Sequence, residues 1–164
     1  MDSRVIAAAV EERHPSPPLH LDSTALARLE ALLPTAASAL LPLYLARAPR
    51  DVLGEGSLAY WYRTRAETYG MPVDDYERAH PPAECWAAAR PALEGVTALL
   101  RETDGPFFLG REVSYADLEW AAYLVFWRTI GEDRLRDLLS TAGGEEAHLA
   151  LLEGVKEWTL RDDH

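Results

Sequence analysis

Apolar residues recur along this chain with helical spacing, and the helix breaks are marked by proline and glycine. The first periodic stretch is short. Val5, Ile6, Ala9 and Val10 make one apolar stripe in a helix predicted from Asp2 to Arg13, with Asp2 or Ser3 as its cap. His14-Pro15-Ser16-Pro17-Pro18 ends it, because three prolines in four positions disfavour helix and favour extended chain. A long helical region follows over about 23–48, capped by Asp22 or Ser23. Leu26, Leu29, Leu33, Leu40, Leu41 and Leu45 form its inner face. Pro34 and Pro42 each remove a backbone donor, so kinks or a break are expected there.

The spacing next predicts a helix from about Gly54 to Tyr69, closing at Gly70, and a short helical piece over 74–80. Pro81-Pro82 opens another, running to about Glu102 with Pro91 inside it. Trp86, Leu93, Val96, Leu99 and Leu100 supply its inward face. Phe107-Phe108-Leu109-Gly110 is a brief apolar segment expected to point inward. Ser114-Tyr115-Ala116-Asp117 is a capping box with Asp in place of the usual Glu: Ser114 and Asp117 each serve the other's backbone N–H. The helix behind it, 118–130, is apolar nearly all round, and such a helix is expected at the centre of a fold. Gly131 ends it, and two amphipathic helices follow, about 133–140 and 145–160. No strand pattern occurs. The fold class is therefore all-α, a bundle of about five to seven helices.

Composition and charge narrow the function classes. The net charge is −11, which argues against nonspecific binding to nucleic acid or to an anionic membrane. No uninterrupted apolar run approaches the ~20 residues that span a bilayer, and no secretory leader is visible. Cys85 is the only cysteine, so an intrachain disulfide is impossible and a cytoplasmic setting is expected. It lacks a CxxC or Cys/His context and reads as a small buried residue rather than a nucleophile. The histidines at 14, 20, 80, 148 and 164 lack metal-ligand spacing, and no glycine-rich phosphate loop is present.

Three segments, in order, carry a family resemblance. Gly105-Pro106-Phe107-Phe108-Leu109-Gly110 followed by Ser114-Tyr115-Ala116-Asp117 and a buried helix resembles the C-terminal domain of glutathione transferases. Asp2-Ser3 with Ile6-Ala7, Glu11 and Pro15 resembles the acidic-Ser motif that opens the last helix of that family's thioredoxin-like half. Tyr60-Trp61, Thr64-Arg65 and Tyr69-Gly70 resemble a stretch of fungal and bacterial members related to β-etherases. Ala66 departs from the Glu of that stretch, and Ala9-Val10 from the usual Tyr-Leu.

The resemblance implies residues 1–14 as a remnant last helix of a thioredoxin-like domain, 15–22 as a proline-rich linker and 23–164 as the helical domain. It implies glutathione as co-substrate, and conjugation or ether cleavage of a small aromatic electrophile. Asp2 and Ser3 match the residues that grip the γ-glutamyl end; their other reading is a plain helix start. Tyr60 and Arg65 are candidate substrate-binding residues, or else a packing tyrosine and a surface ion pair. Ser114 and Asp117 are structural. The family's thiolate-stabilising Ser, Tyr or Cys precedes the acidic-Ser motif, so no catalytic residue is assigned, and the chain is expected to be inactive as it stands. A noncatalytic interaction or ligand-binding module is the alternative. With no sheet to cover the Val5/Ile6/Val10 stripe, a homodimer, a protein partner or a redocked first helix is expected.

Overall fold

The computed structural model describes residues 3–159. They form ten helices: α1 (Ser3–Arg13), α2 (Thr24–Leu45), α3 (Ala48–Asp51), α4 (Glu55–Tyr69), α5 (Val73–Ala79), α6 (Pro82–Leu100), α7 (Tyr115–Ile130), α8 (Glu132–Ala142), α9 (Glu145–Gly154) and α10 (Lys156–Thr159). Among the described residues there is no strand, only two isolated bridges in the loop before α7. The count exceeds the sequence expectation for two reasons. The four-residue α3 carries too little periodicity to be read in advance. The last predicted helix divides at Val155, giving α9 and α10.

Helices α2 and α6 pack along each other, and α8 lies across α6 and α7. Leu26, Leu29, Leu40, Leu93, Val96, Leu124 and Leu138 are buried in the shared core. Ser23 Oγ accepts a bond from the Leu26 N–H at 3.3 Å, which fixes the start of α2. The expected break in α2 does not occur. The helix runs through Pro34 and Pro42, with Pro42 itself buried, so packing against its neighbours outweighs the lost hydrogen bonds. By length and composition α2 is apolar enough to cross a membrane, contrary to the sequence expectation; here its Leu26, Leu29 and Leu40 are buried in the core shared with α6.

The capping box forms as read. The Ser114 N–H donates to Asp117 Oδ2 at 2.8 Å, and Ser114 Oγ donates to the same oxygen at 2.7 Å. Asp117 Oδ1 adds a bond the sequence did not show, accepting from the Phe108 N–H at 2.8 Å. One buried carboxyl thus ties the Phe107–Gly110 loop to the start of α7. The loop closes tightly on itself: a Cβ on Gly105 (φ +143°) would lie 2.1 Å from the Gly110 carbonyl oxygen.

Helix α7 is central on one side only. Trp120, Ala121, Leu124, Trp127 and Ile130 are buried, but Ala122 and Phe126 are exposed, against the expectation of an all-round buried helix. The outward side, with Leu118, Val125 and Trp158, lines a groove of about 700 Å³. Between α6 and α7 lies an aromatic layer in which Trp86 meets Trp127 at 5.7 Å and Trp120 stacks on Tyr123 at 5.5 Å.

Helix α1 is attached mainly by polar contacts. Arg4 donates to the Leu21 carbonyl at 3.0 Å and pairs with Glu30 at 3.2 Å, and the Leu19 N–H donates to Glu11 at 2.7 Å. Ala7 is buried, while Val5, Ile6 and Val10 face outward at 59, 48 and 48 % exposure.

Candidate functional site

The C-terminal turns of α2 and one face of α4 enclose a small cleft. Leu41, Tyr44 and Leu45 come from α2; Trp61, Arg65, Thr68 and Tyr69 come from α4. The spacing explains the α4 contribution. Trp61, Arg65 and Thr68 stand at i, i+4 and i+7, one above the other on a helix surface. The cleft volume is about 190 Å³.

Two interactions fix its geometry. The last carbonyls of a helix lack intrahelical partners, and here the Trp61 indole N–H donates to the Leu45 carbonyl at 3.2 Å. That bond locks the indole ring across the end of α2. The Arg65 guanidinium then lies over the ring, 4.2 Å from its centroid, a cation–π contact. Among the described residues its one hydrogen bond goes to the Thr64 hydroxyl, at 3.2 Å. Among the described residues Arg65 makes no ion pair, although the chain carries 27 acidic side chains against 16 basic ones. The Tyr44 hydroxyl is pushed above its ordinary range by burial and by the neighbouring Tyr69, with the Arg65 charge opposing.

The sequence candidates fall as follows. Arg65 lines the cleft. Tyr60 does not: it is 62 % exposed and stacks with Arg63 at 5.8 Å, because five residues along a helix turn it well away from Arg65. Ser3 is exposed at the start of α1, and Asp2 lies outside the described residues. Trp61, Tyr44 and Tyr69 were not proposed as lining residues. The i, i+4 relation of Trp61 to Arg65 was readable from the sequence; the approach of Tyr44 from another helix was not.

Other titratable side chains are placed for structure. Cys85 is buried, and burial with the nearby Glu84 charge pushes its thiol upward. Burial pushes the Tyr123 hydroxyl up to about 12. His148 is fully buried between the Trp120 indole (3.0 Å) and the Thr97 hydroxyl (2.8 Å).

A family model for the glutathione S-transferase C-terminal domain matches residues 26–158, most of the chain. The chain belongs to the glutathione S-transferase family. Its helical bundle is that family's C-terminal domain, as the capping box and the preceding loop implied. The glutathione S-transferase-like protein ustS of Aspergillus flavus is similar, at 29 % identity over an alignment 184 positions long. That alignment covers 98 % of this chain and 64 % of the relative, so the chain spans less than two thirds of the length of the transferase-like protein it matches.

Proposed function

We propose that this chain supplies the aromatic-ligand wall of a glutathione-dependent transferase, and that on its own it binds a small aromatic electrophile without conjugating or cleaving it. The observation that carries the reading is the cleft at the end of α2. Its Trp61 ring is fixed by the bond to the Leu45 carbonyl, and a cation already stands over that ring. Family membership supports glutathione as the co-substrate.

The chemistry gives the second half of the proposal. A thiol of pKa about 8.5 needs a donor that favours its ionised form. Four of the hydroxyls are poorly suited. Burial raises the Tyr44, Tyr76 and Tyr123 hydroxyls, and Ser114 is spent on Asp117. We take the described helices to offer binding surface rather than thiolate stabilisation. Asp2 and Ser3 match the family's contacts to the γ-glutamyl end, since helix N–H groups and a hydroxyl suit a carboxylate, but for the chain on its own we take them as a plain helix start.

The test is a titration with a neutral aromatic ether, followed by tryptophan fluorescence and repeated with glutathione present. Saturable quenching with no thioether product is expected. Retention on immobilised glutathione should be weak and unchanged in an Asp2→Ala/Ser3→Ala variant. Absence of saturable quenching would refute the ligand wall, and product above the uncatalysed rate would refute the second half; strong mutation-sensitive retention would overturn the helix-start reading of Asp2 and Ser3.

A second reading, an interaction module, is favoured by the outward Val5/Ile6/Val10 stripe on α1. A protein partner or a second copy of the chain would cover it. Sedimentation of the wild-type chain should show concentration-dependent self-association that Val5→Ser/Ile6→Ser/Val10→Ser removes. A chain monomeric at all concentrations would leave a homodimer unsupported.

A further inference from the structure

We propose that the cleft between α2 and α4 selects aromatic ligands that carry a carboxylate, which Arg65 receives while the ring of the ligand lies against Leu41, Tyr44 and Tyr69. The inference rests on the aromatic-ligand reading above and adds to it the charge of the ligand.

The argument begins with what Arg65 does not do. It is half-buried, so its charge has lost part of its water. Desolvated cations in proteins are ordinarily paired. Other arginines of the chain are: Arg28 bonds Glu102, and Arg47 bonds Asp133. Arg65 instead sits over the Trp61 ring, and among the described residues its one hydrogen bond goes to the Thr64 hydroxyl. A guanidinium presents five donors in a planar fork. Stacking uses the face of that plane and leaves its edge available for two parallel bonds to a carboxylate.

The local alternatives are already satisfied by other groups. The Leu45 carbonyl, an obvious acceptor at the end of α2, is taken by the Trp61 indole. The Thr68 hydroxyl donates to the Thr64 carbonyl at 2.8 Å. Arg63, two residues earlier, faces Glu67 and Tyr60 on another side of α4. Arg65 is thus the cation of this cleft, and its geometry is set before any ligand arrives.

The walls set the remainder of the ligand. Leu41 and Leu45 offer aliphatic surface, and Tyr44 and Tyr69 add aromatic surface. A volume of about 190 Å³ suits one benzene ring with a short substituent; a cavity of roughly 150 Å³ is known to hold benzene. A monocarboxylate on a short arm from a single ring fits both the space and the single cation.

The experiment compares phenylacetate with phenylacetamide, its neutral isostere, by titration calorimetry on the whole chain. Wild type should bind the acid about tenfold more tightly than the amide, a difference of ~1.4 kcal/mol. Arg65→Gln should abolish that preference, so that acid and amide bind alike. Arg65→Lys should restore it only in part, because an ammonium keeps the charge but loses the fork and the stacking. Raising the salt concentration should weaken the acid and not the amide. Trp61→Phe keeps a ring under Arg65 but frees the Leu45 carbonyl, and should weaken both ligands. Equal binding of acid and amide, a preference that survives Arg65→Gln, or no acid binding at millimolar concentration would overturn the inference. The two proposals fail separately: if the amide and the neutral ether bind but the acid gains nothing, only the charge preference falls, whereas if no aromatic binds, the ligand-wall reading falls too.

Discussion

Replacing Asp117 with alanine is expected to cost about 3–5 kcal/mol, because a buried donor left without an acceptor costs about 1–3 kcal/mol and this substitution strands several. All three groups around this carboxyl donate to it: the Phe108 N–H, the Ser114 N–H and the Ser114 hydroxyl. Burial pushes the Asp117 carboxyl up, and those three bonds oppose the shift. Alanine strands all three donors in a site where Ser114 and Asp117 are both inaccessible to solvent. Asparagine keeps the shape but turns an N–H group toward a donor, so its cost should be smaller, ~1–3 kcal/mol. Urea melts at neutral pH measure both. For a chain of this size the alanine variant should melt roughly 10 °C or more below wild type. An alanine variant within about 1 kcal/mol of wild type would show that the box does not anchor α7, since a single neutral hydrogen bond is worth about that much.

This carboxyl was legible in the sequence because its partners are close along the chain. A box needs only Ser114 and Asp117 three residues apart, and the loop that supplies Phe108 lies just upstream. Helix ends were legible for the same local reason: Gly70 takes a left-handed conformation (φ +71°) at the close of α4, as a C-terminal glycine does. Periodicity assigned the helices but could not say which side of a helix would find a neighbour. Ala122 and Phe126 are as apolar as Ala121 and Leu124, yet only the latter pair is buried, because burial depends on what packs opposite. The candidate cleft divides in the same way. Arg65 could be named from its own helix, whereas Tyr44 and the Leu45 carbonyl reach it from α2, 16 or more residues away. Tyr60, named beside Arg65, faces elsewhere because adjacency to a motif is not adjacency on a helix surface.

The part of the core least visible in the sequence gives the second large effect, a loss of stability in mild acid. His148 stands between Trp120, 28 residues away, and Thr97, 51 residues away, and no local pattern predicts that meeting. The Trp120 indole can only donate, so His148 Nδ1 must accept and the ring proton must sit on Nε2. Nε2–H then donates to Thr97 Oγ1, which passes its own proton to the carbonyls of Ala142 or Gly143, each at 2.9 Å. The chain of donors joins α6, α7, α9 and the end of α8, and it works only with neutral imidazole. Burial, helped by the Arg101 charge, lowers the His148 pKa to about 4.

The sign follows from proton binding. Below its ordinary pKa of about 6.5 the unfolded chain binds a proton that the folded chain refuses, so stability falls as pH falls. The loss begins near pH 6.5, grows to about pH 4 and levels off below it. Its full size is ~3 kcal/mol for a shift of this magnitude. Urea midpoints measured from pH 7.5 to 4.5 should fall, and His148→Gln should lack this component while starting from lower stability, since an amide side chain offers one donor and one acceptor but not the ring's shape. Thr97→Val should destabilise at every pH by removing the acceptor for Nε2–H. If the pH dependence of the His148→Gln variant matched that of wild type across this window, the titrating group would be another one, and the buried imidazole would not be the acid-sensitive joint of the bundle.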